Sequence, residues 1–209
     1  MITGSDLLTM KIIPEDEQWA LPNLDVVVGG KLIELGNKKN TNGLYREDYA
    51  RYDLEYVCID WNNLDGAVPL DFGERIPEEY EGVADVVTNF GFTEHVFTDQ
   101  VQCWENVARL SSAVGCYLAI VLPRPGHWEH HGVYQPTIEW LTEWHMKNGY
   151  AMHTCTINTD RRRHVNVVGS QRMEPFNIAT YHTPDMGGMY ITNPAHRVNQ
   201  AEKHCGVTP

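Results

Sequence analysis

The run Cys116-Tyr117-Leu118-Ala119-Ile120-Val121-Leu122 holds no charged residue and lies between Gly115 and Pro123. It is too short for a buried helix. Lacking the apolar–polar alternation of a half-exposed strand, it reads as a β-strand buried on both faces. Such a strand needs a layer above and a layer below, and parallel sheets obtain both from the helices of βαβ crossovers. One central strand therefore restricts the chain to an α/β architecture.

Short β-rich runs recur from Gly30 to about Ser170, at Lys31–Leu35, Glu55–Asp60, Val83–Asn89, Tyr150–Ile157 and His164–Gly169, and Val83–Val87 is again nearly continuous and apolar. Helical patterns separate them. Over Thr98–Ser111 the residues Val101, Trp104, Val107 and Ala108 recur at helical spacing, with Thr98 as the expected N-cap. Over Thr137–Asn148, Ile138, Leu141 and His145 share one face, Trp140 and Trp144 stand four apart as core residues, and Gly149 closes the helix. A weaker pattern marks a third helix near Leu44–Tyr52, and the acid-rich Asp71–Gly82 reads as loop. The fold expected is a doubly wound, mostly parallel Rossmann-like sheet flanked by helices.

At 209 residues the chain supports one ordinary core, so a single domain is expected over 30–170, preceded by an N-terminal arm over 1–29. Residues 171–209 hold Pro175, Pro184, Gly187-Gly188 and Pro194 without sustained periodicity. They read as an irregular extension that either wraps over the same core or reaches a second copy of the chain in a homo-oligomer. Sixteen Lys and Arg against 28 Asp and Glu give a net charge of −12, which disfavours a phosphate-gripping nucleic-acid binder. The basic run Arg161-Arg162-Arg163 fits a solvated turn between two strands. No apolar window is long enough for a membrane helix, and Met1-Ile2-Thr3-Gly4-Ser5-Asp6 does not open a secretory signal. Five scattered cysteines without a CxxC pair suit reduced thiols, so the expected location is the cytoplasm.

Ligands of open α/β sheets bind beyond the carboxyl ends of the strands. There the sequence puts Glu34-Leu35-Gly36-Asn37, Asp60-Trp61-Asn62, Pro69-Leu70-Asp71 after a short third strand, Asn89-Phe90-Gly91, and Pro123-Arg124-Pro125-Gly126-His127. A glycine after the first strand lets a ligand approach the backbone, and a carboxylate after the second can accept both hydroxyls of a ribose. Gly36 and Asp60 are 24 residues apart, near the roughly 20 of a nucleotide-binding βαβ unit.

These residues resemble the class I S-adenosylmethionine-dependent methyltransferases over about residues 30–170. Leu32-Ile33-Glu34-Leu35-Gly36 is similar to that family's first motif, Val57-Cys58-Ile59-Asp60 to its ribose-binding acid, and Leu70-Asp71 to the acid near the adenine. Asp85-Val86-Val87-Thr88-Asn89-Phe90-Gly91-Phe92-Thr93-Glu94-His95-Val96 resembles the fourth-strand motif closing in Glu-His-Val. The resemblance implies S-adenosylmethionine as cofactor, contacted by Glu34, Gly36, Asn37, Asp60, Trp61, Asp71, Asn89 and Phe90. One departure is plain: where the family continues Gly-x-Gly-x-Gly, this chain has Gly36 and then Asn37-Lys38-Lys39-Asn40-Thr41-Asn42-Gly43. Asparagine tolerates left-handed backbone and can stand in for a glycine.

Methyl transfer needs donor and acceptor held in line, and a base where the acceptor carries a proton. The loop Gly126-His127-Trp128-Glu129-His130-His131-Gly132 is suited to form a lid whose histidines act near neutral pH, and His127, His131 and His95 are the candidate bases. The acceptor expected is a small molecule, a sugar or a protein side chain, not nucleic acid, and no membrane partner is expected. Two other readings stay open. One is a non-catalytic binding or assembly module on the same fold. The other is a metal-dependent enzyme built on residues 127–131, although no recognised metal-ligand spacing such as His-Glu-x-x-His occurs. Serine nucleophile chemistry lacks its Gly-x-Ser-x-Gly motif.

Overall fold

The computed structural model describes residues 30–37, 55–127, 131–160 and 163–191. The N-terminal arm, the helix expected near Leu44–Tyr52, the loop from Lys38 to Gly43, the residues Trp128, Glu129 and His130, the pair Arg161-Arg162 and the tail beyond Ile191 lie outside the described residues.

Six strands form one sheet: β1 (Lys31–Leu35), β2 (Glu55–Ile59), β3 (Val86–Phe90), β4 (Tyr117–Pro123), β6 (Tyr150–Asp160) and β7 (Arg163–Arg172). Their order is β2-β1-β3-β4-β7-β6. The β1–β2, β1–β3 and β3–β4 pairs are parallel, whereas β7 runs antiparallel to both β4 and β6. The sheet is thus mostly parallel, with one reversed strand between β4 and the edge. That reversal follows from the connection: two residues between β6 and β7 allow a hairpin but no crossover.

The third strand expected before Leu70 is reduced to one parallel bridge between Ile59 and Val68. Val68 donates to the Cys58 carbonyl and accepts from Asp60 N–H, and the ladder stops at Pro69, which has no N–H to donate.

Two described helices pack on the sheet, α1 (Gln100–Leu110) and α2 (Ile138–Lys147). The N-cap of α1 is Asp99, not Thr98: its carboxylate accepts from Gln102 N–H at 2.9 Å, while the Thr98 hydroxyl faces Asp71. Val101 also departs from expectation, being exposed, while Trp104, Val107 and Ala108 are fully buried. The buried face takes in Gln100, Cys103, Asn106 and Leu110 as well. Thr137 caps α2 through Trp140 N–H.

The core lies between these helices and the sheet face bearing Ile33, Leu35, Ile59, Val87, Leu118, Ile120, Leu122 and Val168. Trp104 is at its centre, with ring centroids 4.9 Å from Trp140 and 5.1 Å from Trp144. A small second sheet joins β5 (Tyr134–Pro136) to β8 (Met189–Ile191), which the sequence did not announce. Through it, and through Phe176, Tyr181, Met186 and Met189, the described part of the C-terminal extension packs on this chain's own core. Among the described residues no helix is long and apolar enough to cross a membrane.

Candidate functional site

The strand order reverses direction between β1 and β3, so the crevice outside their carboxyl ends is the ligand position this topology favours. Gly36 leaves β1 there with φ +87°, a conformation L-residues rarely adopt, and a Cβ at this position would approach the Phe92 ring to 3.3 Å. Of the asparagines after Gly36 that could stand in for a family glycine, Asn40 and Asn42 lie outside the described residues.

Asn37 ties two loops together. Its N–H donates to Asp60 Oδ2 at 2.7 Å, and its side-chain amide donates to the Leu64 carbonyl at 3.0 Å. The other oxygen of Asp60 accepts from Asn62 N–H at 3.1 Å. The Asp60 carboxylate, only 9% exposed, is therefore oriented by one backbone donor on each oxygen. A carboxylate has about four acceptor positions, so capacity for further hydroxyl donors is left. Trp61, the following residue, is 46% exposed.

Glu34 is buried on the sheet face opposite the helix-covered one, and accepts a hydrogen bond from the Tyr56 hydroxyl at Oε2. Thr88 is its register partner on β3, and Phe90 is buried on the same face. Asp71 is exposed and accepts from Gly73 N–H at 2.8 Å in a local turn. Asn89 is fully buried, and its side chain is engaged inward: its amide donates to Thr93 Oγ1 at 2.9 Å, and its oxygen accepts from Thr93 N–H at 3.3 Å. It holds the 3-10 turn Thr93–His95.

That turn carries the second group of interest. Glu94 is completely buried, with its Oε1 3.7 Å from His95 Nε2 and 3.6 Å from His131 Nε2. The two imidazole rings meet edge to face, with centroids 5.0 Å apart. Gly132 packs against Glu94 and Val133 N–H donates to its carbonyl at 2.6 Å, so the loop after β4 is fastened to the turn after β3. His127 is exposed in a turn closed by its own N–H on the Arg124 carbonyl. The structure thus unites His95 with His131 and adds Glu94, which the sequence reading did not select. The signal available was its place in the Glu-His-Val motif.

Thiol chemistry is disfavoured here. Burial and the Glu34 carboxylate push the Cys58 thiol up to about 12, burial and Asp85 do the same for Cys116, and Cys103 is raised well above its ordinary value by burial.

No protein-family model and no curated protein matches the sequence. Solved structures do match in shape. A 16S rRNA (adenine(1408)-N(1))-methyltransferase mutant from Catenulisporales acidiphilia superposes with a TM-score of 0.51 at 13% identity, over 83% of this chain and 93% of that one. A Rhodobacter sphaeroides protein, described provisionally as a Zn-dependent alcohol dehydrogenase, gives 0.50 at 11% identity, over 78% of this chain and 91% of its own. At these identities the likeness speaks to architecture alone. The chain has the Rossmann-like fold of the class I methyltransferases.

Proposed function

We propose that this protein is an S-adenosylmethionine-dependent methyltransferase. The observation that carries the reading is Asp60, an oriented and nearly buried carboxylate at the end of β2, beside the reversal of strand order. When bound, S-adenosylmethionine supplies a sulfonium-activated methyl group. The chain's own part is to hold and orient. Asp60 is suited to accept the ribose hydroxyls on the lone pairs its backbone donors leave, and Gly36 turns the chain away from the crevice. Glu34, Asn37, Trp61, Asp71 and Phe90 are the further residues we assign to cofactor contact. Asn89 serves indirectly, by fixing the turn that presents His95.

His95, His131 and His127 stand on the loops after β3 and β4, where an acceptor in line with the methyl group would sit, and they are the residues to take up its proton. The net charge of −12 favours a small molecule, a sugar or a protein side chain as acceptor over a nucleic acid. A non-catalytic binding module has support from the missing family glycines after Gly36.

Thermal unfolding separates the two. With S-adenosylmethionine or its demethylated product at 100 times the dissociation constant, stabilisation should be about 2.7 kcal/mol, roughly 5–10 °C for a chain of this length. Asp60→Asn removes the charge that strengthens the ribose hydrogen bonds and should weaken binding by about 10- to 100-fold. No shift at millimolar ligand would sink the methyltransferase reading in favour of the binding module.

A further inference from the structure

We infer that Glu94, His95 and His131 form a binding site for a divalent transition-metal ion, with Zn²⁺ the ion their donor set suits best. One candidate ligand atom from each residue lies within 4.8 Å of the others, two imidazole nitrogens and one carboxylate oxygen. The separations are informative. At 3.6 and 3.7 Å, the two Nε2–Oε1 contacts are too long to be hydrogen bonds. They are close to the edge of a tetrahedron about a small ion: with metal–ligand distances of roughly 2.0–2.1 Å, ligand atoms stand about 3.4 Å apart.

Burial gives a second argument. Glu94 has no exposed side-chain surface, so bulk water does not compete with an ion for its carboxylate oxygens. Both imidazoles direct Nε2 at the same oxygen while staying partly open to solvent, which gives an ion a path of entry. Two histidines with one carboxylate is a recognised protein donor set for catalytic zinc, in which water or a substrate oxygen takes the fourth position.

The ligands are held in advance. The Asn89 side chain locks the turn bearing Glu94 and His95, and Gln100 Nε2 donates to the Thr93 carbonyl at 2.7 Å. Gln135 Nε2 donates to the His131 carbonyl at 2.8 Å. Gly132 has φ +68°, and a Cβ there would fall 2.5 Å from Glu94 Cγ, so a glycine is what lets His131 approach. Supports of this kind typify metal sites, where losing an outer partner costs about 10- to 100-fold in affinity. The site does not depend on the cofactor assignment, and with an ion held at their Nε2 atoms His95 and His131 act as ligands, which leaves His127 as the candidate base.

The test uses untagged full-length protein stripped with a chelator. Zinc chloride is titrated in by calorimetry at pH 7.5, bound metal is counted by mass spectrometry, and Co²⁺ is added as a visible-absorption probe of coordination number. The expected result is one ion per chain, a low-coordinate Co²⁺ spectrum, and loss of affinity by at least about 100-fold in His95→Gln and in His131→Gln, each a change at a partly exposed side chain. His182→Gln, at a partly exposed histidine paired with Glu143 elsewhere, should leave binding unchanged. Absence of stoichiometric uptake by the stripped protein, or equal uptake by His95→Gln and His131→Gln, would overturn the assignment. The thermal shift with S-adenosylmethionine, run on the same stripped protein, reports on the cofactor reading separately.

Discussion

His145 offers the cleanest quantitative test of the core. It lies on α2, fully buried, with its ring centroid 5.0 Å from Trp144 and 5.4 Å from Tyr150. Its Nδ1 is 2.6 Å from the Leu141 carbonyl, so the neutral ring donates there. Burial pushes its pKa down from 6.5 to about 4, against the smaller upward pull of that carbonyl. The unfolded chain therefore binds a proton near 6.5 that the folded chain refuses until about 4. The stability this neutral histidine permits is complete above the unfolded value and is lost as pH falls through that window. At pH 5 the binding polynomials differ about 30-fold, which is about 2 kcal/mol. Urea unfolding of wild type and His145→Met, each at pH 7.5 and pH 5.0, isolates the term, since the carboxylates titrate alike in both. Wild type should lose about 2 kcal/mol more than the variant between the two pH values. Equal losses would refute the buried-neutral reading of His145.

Two further substitutions probe packing. Gly132→Ala places a methyl group 2.5 Å from Glu94 Cγ and 3.0 Å from the Glu94 carbonyl oxygen, at a backbone angle costing about 1–2 kcal/mol for an L-residue. With the clash added, it should lower the melting temperature by at least about 4 °C, read by calorimetry. Arg172→Lys should destabilise by about 2 kcal/mol in urea, since the buried guanidinium stacks 4.4 Å over Tyr150 and donates to the carbonyls of Asn148 and Ala108. An ammonium cannot reproduce that planar fork, and an unchanged midpoint would argue against it.

What could be read from the sequence follows from how local each signal is. Lys31–Leu35 matches β1 residue for residue, because a glycine on each side bounds a short apolar-rich run. The place of Asp60, just past the end of β2 where the crevice opens, was legible because strand ends and ligand positions are linked by topology. Thr98 and Asp99 are both competent caps, and only the backbone at the helix entrance decides between them. β5 and β8 have three residues each and pair across more than fifty positions, so neither carries a period to detect. The direction of β7 was within reach, since Arg161 and Arg162 fit a tight turn and a tight turn between neighbouring strands makes them antiparallel. Glu94 meeting His131 was out of reach: 37 residues separate them, and the loop path that closes the gap leaves no pattern in composition.

The two candidate sites rest on different supports, and this decides how their failures should appear. Asp60 is oriented by Asn37 and Asn62, from the loops that follow β1 and β2. Glu94, His95 and His131 are oriented by Asn89 on β3 and by Gln100, Gln135 and Gly132 from the segments that follow β3 and β4. The described hydrogen bonds share no side chain between the sets. Loss of a support on one side should therefore leave the other site's geometry in place, because couplings fade where partners are not shared. Gly132→Ala should weaken zinc binding while the thermal shift with S-adenosylmethionine persists, and Asp60→Asn should do the reverse. If either change removed both responses together, the sites would be one site, with the ion and the cofactor held by a common arrangement of the strand ends.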